Sequence, residues 1–226
     1  MGKTVTAKEA AAIIQSGMTV MVGGFQGCGC PDQILACLSV RPAVDLCLIT
    51  NDTCYENQGV GRLISRHQVK KVMASHIGLN RETGRQMNSG ELEVTLIPQG
   101  TLAEAIRAGG AGLGGVLTPV GVGTKVEEGK RKLQINGREY LLELPIKADV
   151  SLVYAAAADE KGNLCMKKTA KNFNPIMAMA GKIVIAEAGR IVKIGELNPD
   201  AICIPGEVVD YIVERGEQTN AGDWDG

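Results

Sequence analysis

The chain has 226 residues, 45% of them hydrophobic and 22% charged, with a formal net charge of −1. That balance supports one α/β domain with a sizeable core and excludes a disordered chain. No stripe of Lys or Arg is present, and there are only two Phe, four Tyr and one Trp, which excludes the basic footprint and stacking platforms of a nucleic-acid binder.

Thr6-Ala7-Lys8-Glu9 has the form of a capping box, so a helix starts there, with Ala10, Ile13 and Ile14 on its apolar face and Gly17 at its end. Met18 to Val22 is a short apolar run bounded by Gly23-Gly24, the pattern of a buried parallel strand. Asp32 to Leu38 is expected to be helical and Leu46 to Thr50 to be a strand. Val69 to Ala74 is the next strand, followed by a polar stretch with Glu82 and Arg85. Val94 to Ile97 reads as a strand ending at Pro98, and Thr101 to Arg107 as a helix ending at Gly109-Gly110. Apolar strands alternating with helices predict an open, mostly parallel sheet with helices on both faces.

The rhythm breaks after Gly115. Lys132 to Glu143 alternates around Asn136-Gly137, a β-hairpin signal. Residues 117–144 are therefore expected to form a small β-rich flap inserted into a single domain spanning 1–216. Val150 to Tyr154 and Ile183 to Glu187 return to core strands, and 217–226 reads as a polar, acidic, flexible tail.

Glycines cluster in three places: Gly23 to Gly29, Gly109 to Gly115, and Gly121-Val122-Gly123. The first cluster follows a strand and precedes a helix. Small residues there let backbone N–H groups face outward, and the helix N-terminus behind favours an anion. A tight turn with no ligand is the plainer reading of the same residues. The dinucleotide fingerprint is not met, because the third glycine position holds Asp32. Gly2-Lys3-Thr4 lacks the upstream glycine and strand of a phosphate loop. Seven cysteines with no CxxC pair, and two histidines far from Cys28 and Cys30, predict reduced thiols and no metal site. No stretch has the length of a membrane span or the form of a signal peptide, so a soluble cytoplasmic protein is expected.

Val22-Gly23-Gly24-Phe25, with Gly29 and Pro31, resembles the N-terminal motif of the α subunits of family I coenzyme A transferases. The resemblance extends through Ser75-His76-Ile77-Gly78, Pro98-Gln99-Gly100-Thr101, Gly109 to Gly115, Gly121 to Thr124, Glu128-Gly129, Leu144 to Asp149 and Asn172-Phe173-Asn174-Pro175. Together these motifs cover nearly the whole chain, and as an ordered set they are far more specific than any one glycine motif. The Ser75-His76 form is more similar to the acetate/acetoacetate or butyrate/acetoacetate branch than to the succinyl branch.

The resemblance implies a transfer of coenzyme A from an acyl-CoA to a short-chain carboxylate, through a glutamyl-CoA intermediate. It implies no permanently bound cofactor, the coenzyme A thioester being a substrate. The attacking glutamate belongs to a β subunit, within a Ser-Glu-Asn-Gly stretch, and an α2β2 assembly follows. Here Glu56 is followed by Asn57-Gln58 rather than Asn-Gly, so it is read as a solvated loop residue. By the same resemblance Gln99 is the catalytic amide that positions the reacting carbonyl, and Asn51 contacts substrate. Gly23, Gly24, Phe25, Gln26, Gly27, Cys28 and Gly29 form the coenzyme A loop. Without the resemblance Gln99 reads as an exposed turn residue and Asn51 equally well as an Asx turn. His76 is read as structural rather than as a base. Gln26, Cys30 and Val120 depart from the family pattern and leave the acyl preference open. A non-catalytic coenzyme A or phosphate-binding module is the alternative from another class; a sugar-phosphate isomerase finds no acid–base pair.

Overall fold

The computed structural model describes residues 2–216, and the tail expected over 217–226 lies outside the described residues. In chain order the first half comprises β1 (Lys3–Thr4), α1 (Ala7–Ile13), β2 (Thr19–Val22), α2 (Asp32–Ser39), β3 (Leu46–Thr50), α3 (Gly61–Ser65), β4 (Val69–Ala74), α4 (Arg81–Ser89), β5 (Glu93–Leu96) and α5 (Gln99–Ala111). The second half comprises β6 (Val116–Thr118), β7 (Lys132–Ile135), β8 (Arg138–Glu143), β9 (Ala148–Ala155), β10 (Ala157–Asp159), β11 (Leu164–Cys165), α6 (Asn174–Ala180), β12 (Gly181–Ala188), β13 (Ile191–Val192), β14 (Ile202–Ile204) and β15 (Tyr211–Glu214).

Eight strands form one sheet in the order β1-β15-β12-β9-β2-β3-β4-β5, and every pairing in it is parallel. Strand alternation divides the core. Val20, Val22, Leu46, Leu48, Val150 and Leu152 face a cluster with Ala10, Ile34, Leu35, Leu63 and Ile64 from α1 to α3. Met21, Ile49, Val153 and Ala186 face the opposite cluster, with Leu102 and Ile106 of α5 and Met177 of α6. Helices thus cover both faces, which is why these strands read as continuous apolar runs. From β2 the chain adds β3, β4 and β5 on one side, while β9, β12 and β15 extend the other. The boundary between β2 and β9 is where the winding reverses, and in such sheets ligands bind beyond the strand ends at that point.

Local signals explain most boundaries. Thr6 accepts from the Glu9 amide at 3.2 Å while the Glu9 carboxylate accepts from the Thr6 amide at 2.8 Å, the reciprocal pair of a capping box. Ile14 lies just past α1 in extended backbone, not on its helical face, yet it is fully buried. Asn136 and Gly137 take φ values of 51° and 77°, a turn whose twist matches a two-residue hairpin. The flap is a three-stranded antiparallel sheet, ordered β6-β8-β7.

Two expectations need correction. The helix expected to end at Gly109-Gly110 runs on to Ala111, and Gly112 at φ 72° ends it. Gly109 and Gly110 are therefore helical residues. A Cβ on Gly109 would overlap the Ile146 carbonyl, and one on Gly110 would stand 2.7 Å from Met179 Cβ. They are small because α5 packs against the chain entering β9 and against α6. The second change is a four-stranded sheet, β13-β10-β11-β14, which no periodicity in the chain announces; its strands of two or three residues are too short to carry one.

Candidate active site at the strand ends

The segment after β2 is a miniature hairpin. Phe25 and Cys28 exchange backbone bonds of 3.0 and 2.8 Å, and Gln26 and Gly27 between them have φ values of 49° and 84°. Both central residues are left-handed, which is the type I′ turn. Most of its glycines answer to the protein rather than to a ligand. A Cβ on Gly23 would overlap Asn174 Oδ1, one on Gly24 would overlap Cys30 Sγ, and one on Gly29 would come within 2.9 Å of Ala170 Cα. Gly27 alone among these four has open space at that position.

Most of the loop's amides do not face outward as expected; those of Gly27 and Gly29 have no partner among the described residues. Gly23 N donates to the Leu152 carbonyl, Gly24 N to Asn172 Oδ1, and Gln26 N to Asp52 Oδ2. The amides of Phe25, Cys28 and Cys30 are bonded within the loop. The helix N-terminus behind the loop is occupied as well. Gln33 N and Ile34 N donate to Glu187 Oε2 at 2.9 and 3.0 Å, so the anion at the start of α2 is a side chain from the end of β12. Glu187 is fully buried; burial pushes its pKa up, opposed by the Arg215 guanidinium beside it. Asn172 and Asn174 hold the loop's backbone at Gly24, Cys28 and Gly29, and Glu187 caps the helix that follows it.

Asn51 follows β3 and is 1% exposed. Its Oδ1 accepts from Gln99 Nε2 at 2.7 Å and from Ser75 Oγ at 2.9 Å, and its Nδ2 donates to Asp52 Oδ2 at 2.8 Å. Tertiary structure thus joins two sequence-selected residues 48 positions apart. Gln99 is the first residue of α5, placed there by Pro98, whose extended backbone (ψ 133°) turns the chain out of β5 into the helix. Gln99 is exposed and lines a cleft of about 320 Å³ with Phe25, Ala103, Arg107, Asn172, Phe173 and Ile176. Two carboxamides, one guanidinium and an otherwise apolar lining suit a small acyl group attached to a polar carrier.

Neighbouring candidates fall outside this geometry. Glu56 is exposed in the loop after β3 and does not line the cleft, and His76 is exposed just past β4. Cys30 lies behind the hairpin; a hydrogen bond with the Cys54 thiol, together with burial, holds its own thiol well above the usual range, so it is a packing residue. Asp52, Arg107, Phe173 and Asn174 are site residues to which sequence reasoning assigned no role. Asp52 adjoins Asn51, and Phe173 and Asn174 belong to a singled-out motif, so those signals were present; Arg107 had none.

The coenzyme A transferase family matches residues 4–215. The alpha chain of acetate CoA-transferase from Escherichia coli K12 is 51% identical over 215 residues, covering 95% of this chain and 98% of its own. The corresponding chain of a probable succinyl-CoA:3-ketoacid coenzyme A transferase from Bacillus subtilis is 50% identical over 219 residues, covering 96% of this chain and 92% of its own. In fold, the chain superposes with a TM-score of 0.87 and 21% identity on an acyl-CoA transferase from E. coli O157:H7, solved as a thioester complex with CoA. That match covers 96% of this chain and 48% of the other, so this chain spans about half its length. An all-parallel sheet with this winding and a family match over nearly every described residue lead to one conclusion: the chain belongs to the coenzyme A transferase family, as a member of its alpha-subunit type.

Proposed function

We propose that this chain is the α subunit of a cytoplasmic α2β2 short-chain acyl-CoA:acetate/acetoacetate CoA-transferase, whose attacking glutamate stands on the β subunit. The observation that carries the reading is the Asn51–Gln99 amide pair. It holds a donor at the edge of a small acyl-sized cleft, beyond the strand ends where the winding reverses.

The chemistry balances without any further reagent. A β-subunit carboxylate oxygen attacks the thioester carbonyl, and the coenzyme A thiolate leaves, giving a mixed anhydride. The thiolate then attacks the glutamyl carbonyl and expels the donor's carboxylate, which leaves glutamyl-CoA. An incoming carboxylate reverses the sequence and departs as the new acyl-CoA. Each addition places negative charge on a carbonyl oxygen. Gln99 has a second Nε2–H besides the one given to Asn51, and a donor aimed at such an oxyanion contributes about 3 kcal/mol. Arg107, whose Nε is paired with the Glu104 carboxylate at 3.1 Å, lines the same cleft. The glycine hairpin supplies a wall whose exposed residues are Phe25 and Gln26.

The test is reconstitution. The chain alone should not transfer coenzyme A from acetoacetyl-CoA to acetate, and adding the β subunit should start transfer; turnover by the lone chain overturns the split site. In the assembled enzyme, Gln99→Ala should lower kcat roughly a hundredfold with little change in KM.

A further inference from the structure

We infer that Asp52 is a positioning residue for transfer: it fixes the direction of the Asn51–Gln99 carboxamide chain, so that Gln99 is anchored through one Nε2–H on Asn51 and its second N–H is held in one direction for the reacting carbonyl. This rests on the proposed role of Gln99. A carboxylate only accepts hydrogen bonds, whereas a carboxamide has a donating end and an accepting end of nearly the same shape. Asp52 is 3% exposed and held on three sides: Oδ2 accepts from Asn51 Nδ2 and Gln26 N, and Oδ1 accepts from Cys54 N at 2.9 Å. The side chain cannot rotate without stranding buried amides. Asn51 must therefore turn its NH2 group toward Asp52 and its oxygen toward Gln99. Gln99 answers with Nε2, while the single Ser75 Oγ–H is shared between the Asn51 side-chain oxygen at 2.9 Å and the Asn51 main-chain carbonyl at 2.8 Å. Reversing the chain would put the Gln99 oxygen on Asn51 and swing both Nε2–H groups to the other side of the carboxamide, out of the direction that the anchored geometry sets.

Asp52→Asn keeps the shape and removes the one-way constraint. In the assembled enzyme it should lower kcat about tenfold or more while KM for the acyl-CoA changes little, since hydrogen bonds to a charged group are the strong ones. A double-mutant cycle decides between positioning and general support. If Asp52 acts through Gln99, Asp52→Asn should add almost nothing once Gln99→Ala is in place. Full multiplication of the two losses, or an unchanged kcat in Asp52→Asn alone, overturns the inference. If Gln99→Ala itself leaves kcat unchanged, the proposed role of Gln99 fails and this inference with it; if Gln99→Ala is slow but the losses multiply, only the inference fails. Should Asp52→Asn not assemble with its partner, Ser75→Ala replaces it. That variant removes the hydroxyl that bridges the side-chain and main-chain oxygens of Asn51, and its smaller loss should likewise vanish in the Gln99→Ala background; a loss that persists there overturns the inference.

Discussion

Arg215 Nε lies 2.7 Å from the fully buried Glu187 Oε1, and the guanidinium also donates to the Cys30 carbonyl at 2.8 Å and stacks over the Tyr154 ring. This pair supports the glycine hairpin from behind, because Glu187 caps α2 and Arg215 ties down the last turn of the loop. Arg215→Ala leaves a buried carboxylate without its cation and should destabilise the protein by about 3 kcal/mol in urea unfolding. Glu187→Gln should cost less, since a carboxamide oxygen can still accept from Gln33 N and Ile34 N.

Asn174 should be the most sensitive polar side chain around the hairpin. It is fully buried, accepts from the Tyr154 amide at 2.9 Å, and donates to the carbonyls of Gly29 and Ala170 at 3.0 Å each. Asn174→Ala strands all three groups, and an expected loss of about 3 kcal/mol follows. Hydrogen exchange should then quicken in the hairpin, and KM for the acyl-CoA should rise in the assembled enzyme.

Glycine substitutions should separate packing from access. Gly23→Ala drives a methyl into Asn174 and should cost about 3 kcal/mol in thermal or urea unfolding. Gly27 has φ 84° and open space, so Gly27→Asn should cost less than about 1 kcal/mol, asparagine being tolerant of the left-handed region. An equal loss at the two positions would contradict the hairpin geometry.

Glu82 sets part of the acid limit. Hydrogen bonds from Arg85 and Gln86 lower its pKa from 4.5 to about 2. The folded state thus binds this proton more weakly than the unfolded chain. The stabilisation is present above pH 4.5 and is lost as pH falls toward 2. Glu82→Gln should flatten the loss of stability over that window, measured by urea midpoints at stepped pH. Glu187 has the opposite sign: its raised pKa gives a contribution that is full below the ordinary carboxylate range and lost as pH rises through the folded value.

Much of this was legible in the chain itself. The capping box at Thr6, the apolar run into Gly23 and the Asn136-Gly137 turn are local signals, and each produced the element expected of it. Gln99 was selectable only through the Pro98 to Thr101 motif and Asn51 only as a position matched by the family resemblance, because nothing local in either residue distinguishes a site from a turn. Glycines are ambiguous for a related reason. A glycine records that space is short or φ is positive, not what fills the space, and at Gly109 and Gly110 the neighbours are Ile146 and Met179 rather than a ligand.

By itself the sequence determined the alternation of apolar strands and helices, hence a two-faced parallel sheet, and the positions where the chain turns. Those features depend on propensity, capping and periodicity, which act over a few residues. Only the tertiary structure decided that Asn51 meets Gln99, that Glu187 occupies the start of α2, and which amides of the hairpin are already bonded. Such contacts join residues 48 to more than 150 positions apart, and their geometry exists only once the strands are in register and the two cores have packed.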